Sequence, residues 1–119
     1  MKKTLVLGAT PNPGRYAYLA MHALARHGHP AVPVGIRRGE VAGVPILQGT
    51  PPVAEVDTVT LYVGPQRQPP YYGYILSLHP RRIIFNPGTE NSELEALARA
   101  QGIETVEGCT LVMLSVGSY

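Results

Sequence analysis

Short apolar runs alternate with helix-patterned stretches along this chain, and that alternation restricts the fold more than any other feature. Lys3 to Leu7, Ala31 to Ile36, Asp57 to Val63, Arg82 to Phe85 and Ile103 to Val106 read as five strands. After the first, Tyr16, Ala20, Ala23, Leu24 and His27 recur at helical spacing, with Asn12 as a cap, Pro13 at the first helical position and Gly28 as the stop. A short helix is expected from Pro69-Pro70 to Leu78. Another runs from Ser92 to Gln101, where Ser92 and Glu95 have capping-box spacing and Gly102 ends the element. Val41 to Val44 and Pro45 to Leu47 form a small excursion, and the pattern leaves the type of the last apolar segment, Leu111 to Leu114, open.

Strands separated by helices pair in parallel, because a parallel pair needs a long crossover and such crossovers are right-handed. The order therefore predicts an α/β fold, doubly wound and Rossmann-like, in one domain over residues 1–119. The length suffices to bury a single core. With 45% apolar and 15% charged residues, the composition excludes a disordered chain. No apolar run approaches the roughly 20 residues of a bilayer span, and the run after Met1-Lys2-Lys3 is too short for a signal peptide, so no membrane association is expected and the cytoplasm is the expected location. Cys109 is the single cysteine, which excludes an internal disulfide and a cysteine-rich zinc site and reads as a small apolar residue near the last strand.

Charge is uneven. Residues 1 to 82 carry nine Lys and Arg against Glu40, Glu55 and Asp57, a net of +6, whereas residues 83 to 119 carry Arg99 against five glutamates, a net of −4. This fits a localised anion site better than a long basic stripe for a nucleic acid. In open parallel sheets ligands sit beyond the carboxyl ends of the strands, so four loops converge: Gly8 to Arg15, Gly35 to Arg38, Tyr62 to Arg67 and Asn86 to Thr89.

The first of these loops joins a strand to a helix start, whose unpartnered N–H groups and dipole favour a phosphate. Gly8 and Gly14 are six apart with two prolines between them, so the common dinucleotide fingerprint is absent. At the end of the second strand, where a site for plain NAD usually carries an acid, the chain has Arg37-Arg38. Guanidinium groups there suit a phosphorylated ribose, as in coenzyme A (CoA) or, alternatively, NADP. Tyr62 and Val63-Gly64-Pro65 offer a face for adenine, while Tyr71, Tyr72 and Tyr74 read first as packing residues. His27 and His29 make a poor metal site, Glu90 lacks a carboxylate partner for acid–base work, and neither a nucleophile elbow nor a Walker loop occurs.

Gly-Ala-Thr-Pro-Asn-Pro-Gly-Arg-Tyr from Gly8, Val-Pro-Val-Gly at the second strand, Gly-Val-Pro-Ile-Leu after the basic turn, Asn-Pro-Gly-Thr-Glu from Asn86, and Gly-Cys109 together resemble the small CoA-binding protein family. That family is similar to the N-terminal CoA-binding domain of the succinyl-CoA synthetase alpha subunit. The resemblance runs from Lys3 to about Leu114 and implies a five-stranded parallel sheet. By position it implies diphosphate contacts at Gly8, Ala9, Thr10, Asn12, Pro13, Arg15 and Tyr16. Adenosine and the phosphorylated ribose would meet Gly35, Ile36, Arg37, Arg38, Tyr62, Val63 and Pro65, and pantetheine would approach Asn86, Pro87 and Gly88. After strand two the family often has Asn-Pro and a lysine, where this chain has Gly35-Ile36-Arg37-Arg38. Nothing here corresponds to the synthetase's phosphohistidine domain, so ligase activity is not implied. The expectation is a stand-alone protein holding CoA or an acyl-CoA without catalysis of its own, with an NADP-dependent oxidoreductase or redox sensor as the alternative; the sequence leaves the oligomeric state open.

Overall fold

Seven strands follow one another in the computed structural model, which describes residues 1–119. They are β1 (Thr4–Leu7), β2 (Ala31–Val34), β3 (Glu40–Val41), β4 (Val44–Pro45), β5 (Thr58–Leu61), β6 (Arg82–Phe85) and β7 (Glu104–Glu107). The helices are α1 (Tyr16–Arg26), α2 (Tyr72–Ser77), α3 (Ser92–Ala100) and α4 (Thr110–Ser115), with 3-10 turns at Pro65–Arg67 and Pro69–Tyr71. Five strands form one sheet in the order β2-β1-β5-β6-β7, every neighbouring pair parallel. The chain steps from β1 outward to β2 and then lays β5 on the other side of β1. The strand order thus reverses beside β1, where a crevice opens. The expected excursion is a two-stranded antiparallel hairpin, β3 with β4.

Side chains alternate between the faces of each strand, and both faces are covered. Leu5, Leu7, Val59, Leu61, Ile83 and Phe85 pack with Ile75 of α2 and with Leu94 and Ala98 of α3. On the opposite face Val6 meets Ala17, Met21 and Leu24 of α1 and Leu114 of α4. This second face is also polar: Thr4, Thr58 and Thr60 are fully buried there, and Arg82 nearly so. Arg82 Nε donates to Thr58 Oγ1 at 3.1 Å and Nη1 to the Tyr119 carbonyl at 2.8 Å, with its guanidinium 4.4 Å from the centre of the Tyr119 ring.

Two helix starts differ from the sequence expectation. The first helix opens at Tyr16 rather than Pro13, because the Asn12 carboxamide oxygen accepts from Gly14 N–H at 2.9 Å and closes a turn of its own. At α3 the cap is Asn91, not Ser92; its side-chain oxygen accepts from Glu93 and Leu94 N–H. The second strand ends at Val34, since Gly35 N–H turns to the carbonyl of Leu47 at 2.9 Å. The third is trimmed to Thr58–Leu61, the fifth is shifted by one residue, and the fourth matches at both ends. The terminal apolar segment is helical.

At the amino ends of the strands, Lys2 N–H donates to His29 Nδ1 at 2.9 Å and the imidazole lies tilted on Tyr119, their centres 4.8 Å apart. Burial, followed by neighbouring positive charges including Lys2, lowers the His29 pKa below its ordinary 6.5. The unfolded chain therefore takes up a proton near pH 6.5 while the folded one resists it. This contribution to stability is intact above about pH 6.5 and is lost as pH falls toward the depressed folded value. Thermal midpoints taken between about pH 7.5 and 5.5 fall less steeply in His29→Gln than in the wild type; parallel slopes would remove His29 from the account.

Candidate functional site

A cleft of about 780 Å³ opens over the carboxyl ends of β1, β2, β5 and β6. Its floor is backbone packed on backbone. Gly8 has φ +98°, and its N–H and that of Ala9 both donate to the carbonyl of Val34, at 2.9 and 3.0 Å. A Cβ on Gly8 would stand 2.8 Å from the Tyr62 carbonyl oxygen, and one on Gly35 would overlap the Ala9 carbonyl. Only glycine lets the loops after β1, β2 and β5 close on each other. Leu47 N–H donates to the Pro33 carbonyl and Gln48 Nε2 to the Ile36 carbonyl, which ties the 46–49 segment beside β2 and brings Gly49 to the rim.

The first loop presents Gly8, Ala9, Thr10, Asn12, Arg15 and Tyr16 to the cleft. Arg15 stands at the cap position of α1 without a capping side chain, and the N–H groups of Tyr16 and Ala17 donate to no group of the chain. An 11-residue helix thus aims its free first-turn donors into the cleft. Gly35, Ile36 and Arg37 line the β2 side, with Ile36 76% exposed as an apolar lip. Tyr62 and Val63 line the β5 side. Burial pushes the Tyr62 phenol up to about 12, although the neighbouring Thr60 and Thr110 hydroxyls pull it partly back, so it stays protonated at neutral pH.

Pro87 and Gly88 complete the wall beyond β6. Four expected residues take other positions. Pro13, Arg38 and Pro65 flank the cleft without lining it, and Asn86 is 2% exposed behind it. Asn86 Nδ2 donates to Thr60 Oγ1 at 2.7 Å and to the Leu61 carbonyl at 2.9 Å, while its Oδ1 accepts from Thr110 N–H at 2.9 Å. Its amide is consumed in joining β5, β6 and α4. The two histidines weighed as ligands also have structural partners, His27 at the Ala23 carbonyl and His29 at Lys2 N–H.

Gly64, Arg67 and Thr89, which fall in the loops expected to converge, line the cleft, Gly49 joins them from a segment not expected at the site, and Tyr71, read first as packing, lines it too. Buried Gln68 fixes that wall. Its Nε2 donates to the carbonyls of Val63 and Thr89, and its Oε1 accepts from Asn91 Nδ2. Arg15, Arg37 and Arg67 all line the cleft, and no Asp or Glu does. The chain's one ion pair lies elsewhere, between Arg99 and Glu95. Such a surface suits a long ligand with several separated negative charges.

The family model described as "CoA binding domain" matches residues 2–115. Among solved structures, a crystal structure of an uncharacterized protein is 60% identical, with TM-score 0.98, covering 100% of this chain and 98% of the other. A hypothetical protein from Pyrococcus horikoshii OT3 is 26% identical, with TM-score 0.87 and coverage of 97% and 82%. An acetyl-coenzyme A synthetase 1 of Candidatus Korarchaeum cryptofilum, in complex with phosphate and ADP, shares the fold at 15% identity and TM-score 0.69; the match covers 89% of this chain and 25% of that one. Comparison with curated protein sequences gives no match.

Proposed function

We propose that this chain, which belongs to the CoA-binding domain family, holds CoA or an acyl-CoA across the carboxyl ends of its parallel strands and catalyses no reaction by itself. The observation that carries the reading is the free first turn of α1 opening onto a cleft whose charged lining residues are all arginines. The diphosphate lies against the Tyr16 and Ala17 N–H groups, with Arg15 beside it. A helix start contributes roughly 0.3 to 1 kcal/mol to an anion, more where water is excluded. The phosphorylated ribose then falls beyond β2, within reach of Arg37 and of Arg38 at the mouth, and adenine takes its apolar contacts from Ile36, Tyr62 and Val63. Pantetheine runs the other way, over Pro87 and Gly88, where small residues leave room for a slender arm.

The lining holds no His, Cys, Asp or Glu, and its one buried phenol keeps its proton. That inventory supports binding without acid–base chemistry. The arginine pair also suits the 2′-phosphate of NADP, which makes NADPH the necessary competitor. Reversing both charges, in Arg37→Glu with Arg38→Glu, weakens CoA by about tenfold or more, the worth of a charge-assisted phosphate contact. Dephospho-CoA, which lacks the 3′-phosphate, is expected to change little. Equal weakening of both ligands in a calorimetric titration would withdraw the ribose-phosphate role from these arginines.

A further inference from the structure

The β5 and β6 side of the cleft is made of two loops that a single buried amide joins. The loop after β5 supplies Tyr62, Val63 and Gly64, and the loop after β6 supplies Pro87, Gly88 and Thr89. Beyond the strand ends no backbone hydrogen bond runs from one loop to the other. Gln68, fully buried, crosses the gap. Its Nε2 donates to the Val63 carbonyl at 2.9 Å and to the Thr89 carbonyl at 2.8 Å.

The orientation of that amide is itself enforced. Asn91 Nδ2 donates to Gln68 Oε1 at 2.8 Å and to the Tyr72 hydroxyl at 2.7 Å, and the Tyr72 hydroxyl donates to Glu93 Oε1 at 2.9 Å. Asn91 is held in turn because its Oδ1 caps α3 at the N–H groups of Glu93 and Leu94. The Gln68 oxygen thus faces a donor, and both protons of its NH2 are left for the two carbonyls. Gln68 does not line the cleft, so it acts on a ligand only through the loops it holds.

A CoA laid as above touches both loops, with adenine at Tyr62 and Val63 and pantetheine at Pro87 and Gly88. Contacts to two loops add in full when the spacing is set before the ligand arrives; otherwise binding must also order one loop against the other. We propose that Gln68 is a positioning residue that fixes this spacing and so makes the site select a nucleotide with a long arm on its diphosphate over the same nucleotide without the arm. This rests on the CoA reading above.

Adenosine 3′-phosphate 5′-diphosphate is CoA without pantetheine, and the full chain can be titrated with both. The wild type binds CoA roughly tenfold more tightly than the armless nucleotide. Asn91→Asp keeps the oxygen that caps α3 but replaces the donor facing Gln68 Oε1 with a second carboxylate oxygen. The Gln68 amide then turns its NH2 to that carboxylate and leaves the two loop carbonyls. The ratio falls to about twofold or less, while affinity for the armless nucleotide stays within about twofold of the wild type. Gln68→Met, which keeps the length and loses both donors, lowers the ratio in the same way and serves as the second variant where the first fails to fold. A wild-type ratio in the folded variants overturns the proposal. So does equal weakening of both ligands, the mark of a merely structural residue. If neither ligand binds the wild type, the CoA reading itself falls; if CoA binds and the wild-type ratio is one, only the positioning role does.

Discussion

Gly35→Ala is expected to destabilise the protein by about 3 kcal/mol or more and to abolish ligand binding, because the added Cβ meets backbone rather than a movable side chain. The Ala9 carbonyl it strikes belongs to the segment whose N–H groups, at Gly8 and Ala9, are bonded to Val34. That carbonyl cannot retreat without breaking those bonds and moving the loop that leads to α1. Relief by moving Gly35 instead would break its own bond to Leu47 and release the 46–49 segment from the edge of β2. Either route opens the cleft. Urea denaturation checks the stability and titration with CoA checks the binding; a midpoint within error of the wild type would show that the loops after β1 and β2 are not in such contact.

Asn86→Ala gives the second large effect, about 2 to 4 kcal/mol of lost stability. The substitution removes three hydrogen bonds and leaves the Leu61 carbonyl and the Thr110 N–H buried without partners. Thr110 also shares its hydroxyl with Thr60 at 2.8 Å, so β5, β6 and the start of α4 lose a common joint. Because this residue acts behind the cleft, its variant binds CoA weakly only to the extent that it is unfolded. Affinity measured on the folded fraction at low temperature should stay near the wild-type value. A specific loss of affinity with unchanged stability would return Asn86 to the ligand.

The strands were legible because buried parallel strands are apolar nearly without interruption, and β6, bounded by Pro80 and by Asn86-Pro87, could be read to the residue. The parallel pairing followed from the crossovers, and with it the loops that meet at one end, whereas the order of the strands is seen only in the structure. Helix starts were less legible where two capping residues compete. Asn12 looks like a cap in sequence, yet its side chain is spent on a local turn, and Asn91 wins over the adjacent Ser92 by reaching two N–H groups. Gly49 reaches the cleft only because Leu47 bridges to Val34, a tertiary event that no local pattern announces. Arg67 fell at the end of a loop expected at the site, but nothing in the sequence marked its own place there. Its position depends on Gln68, a polar residue in a proline-rich stretch whose complete burial has no periodic signature. Asn86 carried a signal for a turn, and only the packed structure shows that its amide faces inward.

Calorimetric titration of the protein with CoA, dephospho-CoA and NADPH tests the central claim most directly. The account predicts that CoA binds about tenfold or more tightly than dephospho-CoA, at one site, and that NADPH binds more weakly than CoA. Equal affinity for CoA and dephospho-CoA, tighter binding of NADPH, or no binding of any of the three would contradict it.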